Sequence, residues 1–284
     1  MTKTFNILFC AQPRDIYGSF SWKKPINKIK NHYGDKINIE IEYHMWDKIS
    51  DKPGALEPVQ KLLPVTLSQQ FDITTQIQEF WGYPVVVKFY DYDHYMNRSL
   101  NHISAKTNIT IDQLYAADID RWIAQHKSRD IALNNAKDSN FTLLTRTDIE
   151  VHPSEGFYDT MYHHFKIDFQ KPWIAGKSDT HITHRIETFG LEVYGSWNVF
   201  HQDFWTAGST TTLKSLYKNF IDKMLMHWSD DDFINKKDEV FFALKNSHNM
   251  FQQWIVKHTE EDIALVSDSP TSHLGHIMTR DKDK

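Results

Sequence analysis

Apolar and polar positions divide the first half of the chain into four segments of strand type. Residues 5–11 form an apolar run broken only by Asn6, which predicts a central strand. Residues 37–43 alternate strictly between apolar and polar side chains, as a half-exposed strand does. Residues 84–90 and 141–151 are further runs that contain strand-forming side chains. The pattern predicts four strands before residue 152.

Helical spacing separates these strands. Segments 25–33 and 68–81 carry apolar residues at helical intervals, and a glycine follows each of them. A capping box that begins at Thr110 precedes a longer helical pattern that reaches to about Asn134. The proline-rich connection 48–65 is predicted to be a long loop. Because strands and helices alternate, the predicted fold class is α/β, a Rossmann-type, mostly parallel sheet flanked by helices.

The second half of the chain follows a different pattern. Residues 196–200 form a short strand candidate, and 213–228 carry apolar side chains at helical spacing throughout. A further helix is predicted over 238–255. We therefore expect one domain with two halves, an α/β half at 1–151 and a helix-rich half at 152–284.

Composition excludes several classes of protein. The 284 residues carry a formal net charge of −5, which gives no overall basic footprint for nucleic-acid phosphates. The single cysteine, Cys10, lies within an apolar run and has no intramolecular disulfide partner. No apolar stretch approaches the roughly 20 residues that span a bilayer. We expect a cytoplasmic protein without a membrane span.

Polar side chains follow the predicted strands of the first half. Arg14, Asp47 and Asp91 lie after the first three strands, and Arg146 and Asp148 lie at the end of the fourth. Ligands of open α/β sheets bind beyond the carboxyl ends of the strands. There a carboxylate suits a divalent cation and a guanidinium suits a phosphate, so the last two residues suit a metal-diphosphate.

A simpler interpretation stays open beside this one. Arg146 and Asp148 are two residues apart, and such a pair on one face of a strand is often a structural ion pair. Each of the other charges alone is typical of a solvated loop. The chain has no glycine-rich phosphate loop, which argues against dinucleotide oxidoreductases and P-loop enzymes.

Three places in the sequence resemble GT-A-type glycosyltransferases, particularly the divergent enzymes of phage and viral genomes and of lipopolysaccharide synthesis. The first is a strand ending in Gln12 and Arg14, together with a second strand that closes in His44-Met45-Trp46-Asp47. The others are Leu143-Leu144-Thr145-Arg146-Thr147-Asp148 and the segment from Asn198 to Ser209. The first two resemble the nucleotide pocket and the metal and diphosphate motif of that family, and the third resembles its acceptor side.

The resemblance implies a division of roles. Residues 1–151 would bind the nucleotide-sugar donor, with Gln12, Arg14 and Asp47 in the nucleotide pocket and Arg146 on the diphosphate. Residues 152–284 would form the acceptor side and the C-terminal helical part. The acceptor would be a glycan or a hydroxymethylated DNA base, and the protein would work in the host cytoplasm if a phage encodes it.

The implied cofactor is Mn²⁺ or Mg²⁺, with Asp148 and a late histidine, His276, as ligands. The family's usual metal motif is Asp-x-Asp, and here Arg146 occupies the first position, so the motif offers a cation the single carboxylate of Asp148. Asp203 is the predicted catalytic residue, because an inverting transferase needs a carboxylate that deprotonates the acceptor hydroxyl. An Asp that starts a turn before a helix is equally typical of a helix N-cap.

The leading hypothesis is therefore a glycosyltransferase, either a hexosyl- or a pentosyltransferase, that moves a sugar to an acceptor hydroxyl. A second hypothesis is a metal-dependent hydrolase or phosphodiesterase that uses the histidine and aspartate clusters, such as His163-His164 and His181-Ile182-Thr183-His184. None of these clusters has a zinc-enzyme signature such as His-Glu-x-x-His. A third hypothesis is a nucleotide- or sugar-binding module without catalytic activity.

Overall fold

Strands and helices alternate along the chain in the computed structural model, which describes residues 3–13, 16–50, 62–139, 141–153, 173–178, 199–226, 228–245, 264–267 and 274–278. The first half contains β1 (Lys3–Ala11), α1 (Tyr17–Phe20), α2 (Lys23–Tyr33), β2 (Ile37–Trp46), β3 (Lys48–Ser50), β4 (Leu62–Pro64), α3 (Leu67–Trp81), β5 (Val86–Tyr90), α4 (Tyr92–Thr107), α5 (Ile111–Ala116), α6 (Ile119–Asn135), β6 (Phe141–Thr145) and β7 (Ile149–Pro153). The described part of the second half contains β8 (Trp173–Ser178), β9 (Val199–Gly208), α7 (Thr210–Tyr217), α8 (Phe220–Leu225), α9 (Asp230–Asn235), α10 (Lys237–Lys245), β10 (Ala264–Ser267) and β11 (Leu274–Met278).

Seven of these strands form one sheet in the order β10-β8-β9-β6-β1-β2-β5. Strands β6, β1, β2 and β5 are parallel, and their register places Ile7 opposite Ile41 on one side and Leu143 on the other. Strand β9 runs antiparallel to both β6 and β8. The predicted interior position of β1 is confirmed, because an uninterrupted apolar run suits a strand with neighbours on both edges.

Side chains of β1 alternate between two helical layers. Phe5, Ile7 and Phe9 pack in a core with residues of α2 and α3, whereas Leu8 and Cys10 pack in a second core with residues of α4 to α8. Burial of a large apolar side chain contributes about 1.5–3 kcal/mol. The predicted fold class, a mostly parallel α/β sheet flanked by helices, is confirmed.

Helix α3 follows its sequence signals closely. Thr66 accepts a hydrogen bond from the Gln69 backbone N–H in a capping box, and Gly82 ends the helix in the left-handed conformation at φ 70°. Helix α2 begins at Lys23, two residues before the predicted start at residue 25, so Pro25 lies within its first turn. Both helices are confirmed.

Two predicted features of the first half differ in the structure. Strand β2 alternates in burial only near its start and is fully buried from Ile41 to Trp46. Its even-numbered side chains face a helical layer as its odd-numbered ones do, so polar residues in this segment lie inside the protein. The predicted long loop contains a short antiparallel hairpin formed by β3 and β4.

Two predicted long helices are interrupted. The helix predicted from Thr110 to Asn134 breaks at Asp118, which has φ 56°, and the helix predicted over 213–228 breaks at Asn219, which has φ 54°. Residues in this left-handed conformation cannot continue a right-handed helix. Apolar spacing misses both breaks because the two segments on either side bury their apolar faces in the same core.

The strand predicted over 141–151 is also divided. Strand β6 ends at Thr145, residues 147 and 148 form a turn, and β7 then pairs with β11 in a separate two-stranded sheet. The helix predicted over 238–255 is described as α10 only as far as Lys245. Among the described residues, no helix combines the length and apolarity needed to cross a membrane.

Candidate active site at the carboxyl edge of the sheet

The candidate site lies where β1 meets β6. From β1 the chain continues to β2 and β5 on one side of the sheet, whereas β6 comes later and pairs on the other side. Such a reversal of strand order opens a crevice beyond the carboxyl ends of the strands, which is where α/β proteins bind their ligands. The segments after β1 and β6 therefore form the walls of the site.

These two segments are joined by hydrogen bonds. The Thr147 side-chain hydroxyl donates to the Gln12 carbonyl at 3.4 Å, and the Ser19 backbone N–H donates to the Thr147 carbonyl at 2.8 Å. The structure thus brings Gln12 to the turn of residues 147 and 148, beside Arg146. Its predicted role in the nucleotide pocket stays a prediction. Arg14 lies outside the described residues, and its predicted role stays a prediction.

Gly18 allows the close approach of α1 to this turn. A Cβ atom at Gly18 would lie 2.6 Å from the Ile149 backbone nitrogen and 2.7 Å from both the Asp148 carbonyl carbon and the Thr147 carbonyl oxygen. Any larger residue would therefore displace the backbone of the turn. Sequence reasoning missed Gly18, because a single glycine after a strand gives no sign of which distant segment packs against it.

Arg146 and Asp148 bind each other in a two-point ion pair. Arg146 Nε donates to Asp148 Oδ1 at 2.8 Å, and Arg146 Nη2 donates to Asp148 Oδ2 at 2.6 Å. Their side chains are 13% and 9% exposed. The geometry is therefore that of a structural ion pair, the alternative that the sequence left open. Asp148 lies in the turn and Arg146 directly before it, so the pair is not on a strand.

The predicted cation site does not fit the donors that the structure describes. Mg²⁺ requires near-octahedral oxygen ligands, and Asp148 supplies one carboxylate whose two oxygen atoms already accept from Arg146. The described residues contain no group of three or more histidine, cysteine, aspartate or glutamate side chains that could hold a metal ion. We derive no chemical step through a metal.

Asp47 holds the start of helix α4. Its Oδ1 accepts from the Tyr92 backbone N–H at 2.9 Å, while its own N–H donates to the Tyr90 carbonyl at 2.9 Å. The neighbouring Asp91 caps the same helix through the His94 N–H. The strand-end carboxylates thus have structural partners, and a nucleotide contact from Asp47 stays a prediction.

Strand pairing sets the backbone positions of Asp203 in β9 and of His276 in β11. In the antiparallel register Trp205 lies opposite Thr145, so Asp203, two positions further along β9, lies level with the segment beyond the end of β6. The backbone of His276 lies opposite Val151 in β7. The predicted turn at Asp203, and the alternative of an N-cap there, are both wrong because the residue lies within β9. The histidine pairs 163–164 and 181 with 184 lie outside the described residues.

A buried polar chain lies in β2 beside this edge, and sequence analysis did not find it. His44 Nε2 lies 3.1 Å from Glu42 Oε2, and His44 Nδ1 lies 2.8 Å from the Tyr90 hydroxyl. Lys88 Nζ contacts the same Glu42 oxygen at 3.4 Å. The only sequence signal is the presence of Glu42 and His44 at alternate positions of a strand that is otherwise apolar near its end.

Burial and charge determine the protonation of this chain. Burial lowers the pKa of His44, so its imidazole is neutral, with Nε2–H donating to Glu42 and Nδ1 accepting from Tyr90. Burial alone would raise the pKa of Glu42, but the hydrogen bond from His44 and the charge of Lys88 outweigh it and lower that pKa. Burial also raises the pKa of the neighbouring Cys10 thiol to about 12, so this cysteine is not a nucleophile.

The sequence matches no protein-family model and no curated protein. Among solved structures, the chain is similar to the galactosyltransferase LgtC in complex with donor and acceptor sugar analogues, at 10% identity and a TM-score of 0.44 over 93% of this chain and 73% of that one. It is also similar to mouse xyloside xylosyltransferase 1 without ligand, at 8% identity and a TM-score of 0.46 over 93% of this chain and 85% of that one. A third similar structure is an active-site mutant of LgtC, at 10% identity and a TM-score of 0.39 over 84% and 69% of the two chains. At these values the likeness carries no conclusion about activity.

Proposed function

We propose that this protein is a glycosyltransferase that moves a sugar from a nucleoside-diphosphate donor to an acceptor hydroxyl. One observation carries the proposal most directly. The segments that follow β1 and β6 are joined at the carboxyl edge of the sheet, and the pair of Arg146 and Asp148 lies in this joint. The contact between Gln12 and Thr147 supports the proposal, because it joins two of the places that resemble the donor-binding motifs of GT-A-type enzymes where α/β sheets bind ligands.

Arg146 supplies the electrostatic part of the mechanism. When the bond between the sugar and the diphosphate breaks, negative charge develops on the leaving phosphate oxygen. A guanidinium donates two parallel hydrogen bonds to phosphate as readily as to carboxylate, and its charge is permanent. Asp148 orients this guanidinium before the donor binds. The donor's phosphate then takes the place of the Asp148 carboxylate on a guanidinium that is already oriented.

Asp203 supplies the proton transfer in this proposal. The acceptor hydroxyl oxygen attacks the anomeric carbon, the bond from that carbon to the diphosphate oxygen breaks, and Asp203 takes the hydroxyl proton. The support is its position in β9, level with the segment beyond β6. The acceptor is a glycan or a hydroxymethylated DNA base, and the transferred sugar is a hexose or a pentose. A role for Mn²⁺ or Mg²⁺ with Asp148 and His276 would require Arg146 to release the carboxylate.

The test measures release of nucleoside diphosphate from a panel of nucleotide sugars with candidate glycans and hydroxymethylated DNA. We expect one donor to be consumed and one acceptor to gain the mass of a sugar. Arg146→Lys, which keeps the charge but loses the two-point geometry, is expected to lower kcat/KM by about 10²-fold, the effect of losing one transition-state donor.

Arg121→Lys is the matched control. Arg121 pairs with Asp118 at 3.2 Å at the break between α5 and α6, so the same substitution is made in an ion pair that lies in neither the segment after β1 nor the turn after β6. Its kcat/KM should equal that of the unaltered protein. A folded Arg146→Lys protein with unaltered kcat/KM, or a protein that consumes no donor, would contradict the proposal.

A further inference from the structure

Helix α2 concentrates positive charge on a chain of net charge −5. Its eleven residues, Lys-Lys-Pro-Ile-Asn-Lys-Ile-Lys-Asn-His-Tyr, include four lysines and no acidic side chain. A surface cavity of about 640 Å³ opens along it. The lining includes Phe20, Lys23, Lys24, Asn27, Lys28 and Asn31.

Four of the polar lining residues form one stripe of the helix. Ile26 and Ile29 are buried against the sheet. Lys24, Asn27, Lys28 and Asn31 follow the spacing i, i+3, i+4 and i+7, which keeps side chains on one face. Lys24 and both asparagines are exposed, whereas Lys28 is half-buried. The stripe is about 10 Å long at 1.5 Å per residue.

The start of the stripe is fixed next to the candidate active site. Helix α1, which binds the Thr147 carbonyl through Ser19, leads directly into α2. The Phe20 ring stacks on Phe80 at 3.9 Å between centroids, and Lys23 Nζ lies 4.5 Å above the same Phe80 ring. The cavity thus runs from the wall of the candidate active site along the outer face of α2.

We propose that this α2 surface binds an acidic carbohydrate polymer. Lysine ammonium groups attract carboxylate or phosphate groups along the polymer, and the asparagine amides both donate and accept hydrogen bonds, as sugar hydroxyls require. The Phe20 ring gives the cavity an apolar wall beside these polar groups. The further statement that this polymer is the acceptor rests on the proposed transferase function.

Charge and exposure favour this partner over two others. Duplex nucleic acid carries one negative charge per about 1.7 Å, whereas two of the four stripe residues, Asn27 and Asn31, are uncharged amides, which suits a polymer whose charges are separated by hydroxyl groups. A bilayer surface requires a continuous face of exposed apolar side chains beside the lysines. Tyr17 is exposed in edge contact with Phe20 at one end of the cavity, but the strongly exposed Leu67 and Phe71 lie on α3 outside the cavity lining.

The test measures binding of fluorescent alginate, a carboxylated polysaccharide, with neutral dextran, duplex DNA and phosphatidylglycerol vesicles as the alternative probes. We expect alginate to bind in preference to the other three, and Lys24→Gln with Lys28→Gln to weaken alginate binding about tenfold. The control is Lys214→Gln with Lys236→Gln, which removes the same charge from lysines paired with Asp138 and Asp232. Equal weakening by both double variants, or tighter binding of any other probe, would overturn the inference.

The assay separates this inference from the proposed transferase function, because alginate binding is measured without a donor. The Lys24→Gln and Lys28→Gln protein should still consume nucleotide sugar at the unaltered rate with a short neutral acceptor. If no donor is consumed but the alginate preference holds, the proposed function fails and the binding surface remains. If donor consumption is normal but the two double variants bind alginate equally, the binding surface fails alone.

Discussion

Arg146 and Asp148 neutralise each other in a largely buried position, and this neutral pair defines the electrostatics of the candidate site. A carboxylate facing the crevice without a cation would repel a diphosphate. Because both oxygen atoms of Asp148 accept from Arg146, that repulsion is cancelled before any donor arrives. A donor phosphate that binds the Arg146 guanidinium gains a strong two-point contact, but Asp148 then loses the partner described here. We therefore expect donor binding to change the contacts of the Asp148 carboxylate.

His44 makes protein stability depend on pH. Its pKa is lowered by burial in the folded protein, whereas in the unfolded chain it protonates near the ordinary value of about 6.5. Below that pH the unfolded state binds a proton that the folded state does not, so the free energy of unfolding falls, by at most about 1.4 kcal/mol per pH unit for this residue. We predict that His44→Gln removes this contribution, measured as urea unfolding at about pH 7 and about pH 5.5.

Tyr90→Phe provides the comparison. It removes the hydroxyl that contacts His44 Nδ1 but keeps the histidine buried, and burial is the largest cause of the lowered pKa. This variant should be less stable at both pH values and should keep the pH dependence of the unaltered protein. Identical pH dependence in the His44→Gln and unaltered proteins would refute this role for the histidine.

At the scale of elements, α1 packs closely against the turn after β6 and holds it in place. Gly18→Ala places a methyl group within 2.7 Å of backbone atoms of residues 147–149, which cannot rotate away as a side chain would. We predict a loss of about 1–3 kcal/mol in the free energy of unfolding, as for an overpacked core. Binding of the donor should weaken as well, because the displaced turn contains Asp148 and directly follows Arg146.

Gly34→Ala separates the two effects. Gly34 ends α2 at φ 54° with no atom near its potential Cβ, so alanine there strains the backbone without a clash. This variant should lose stability and keep donor affinity, measured by nucleotide titration at a temperature where both variants are folded. A Gly18→Ala protein with unaltered stability and affinity would show that α1 does not position the turn.

Some helices and strands could be predicted from the sequence, and others could not. Strands β1, β2, β5 and β6 and helix α3 could be predicted, because their apolar patterns and caps are local and agree with the way each segment is buried in the fold. The breaks at Asp118 and Asn219 could not, because each depends on one residue in a left-handed conformation between two segments that pack in the same core. Likewise the polarity of Glu42 and His44 suggests exposure, and only the helices on both faces of the sheet place them inside.

At the scale of the whole molecule, the candidate site depends on contacts between distant parts of the chain. Strand β9 pairs with β6 across more than fifty residues of sequence, and that register sets the position of Asp203. The sequence identified the charged residues that follow the strands and offered an ion pair of Arg146 and Asp148 as one alternative. It gave no sign of the contacts that join Thr147 to Gln12 and Ser19. Sequence placed Arg146 and Asp148 on a continuous strand, whereas the turn between β6 and β7 directs them at each other.

The most direct measurement of the central claim is the thermal stability of the protein with each of a panel of nucleotides and nucleotide sugars, with and without Mn²⁺. A ligand that binds only the folded state at 100 times its Kd raises the free energy of unfolding by about 2.7 kcal/mol. We predict that one nucleoside-diphosphate sugar raises the Tm. This rise should be lost in Arg146→Gln and kept in Arg121→Gln. Any part of the rise that depends on Mn²⁺ should be lost in Asp148→Asn. No shift with any nucleotide, or an equal shift in Arg146→Gln, would contradict the claim that this edge of the sheet binds a nucleotide-sugar donor.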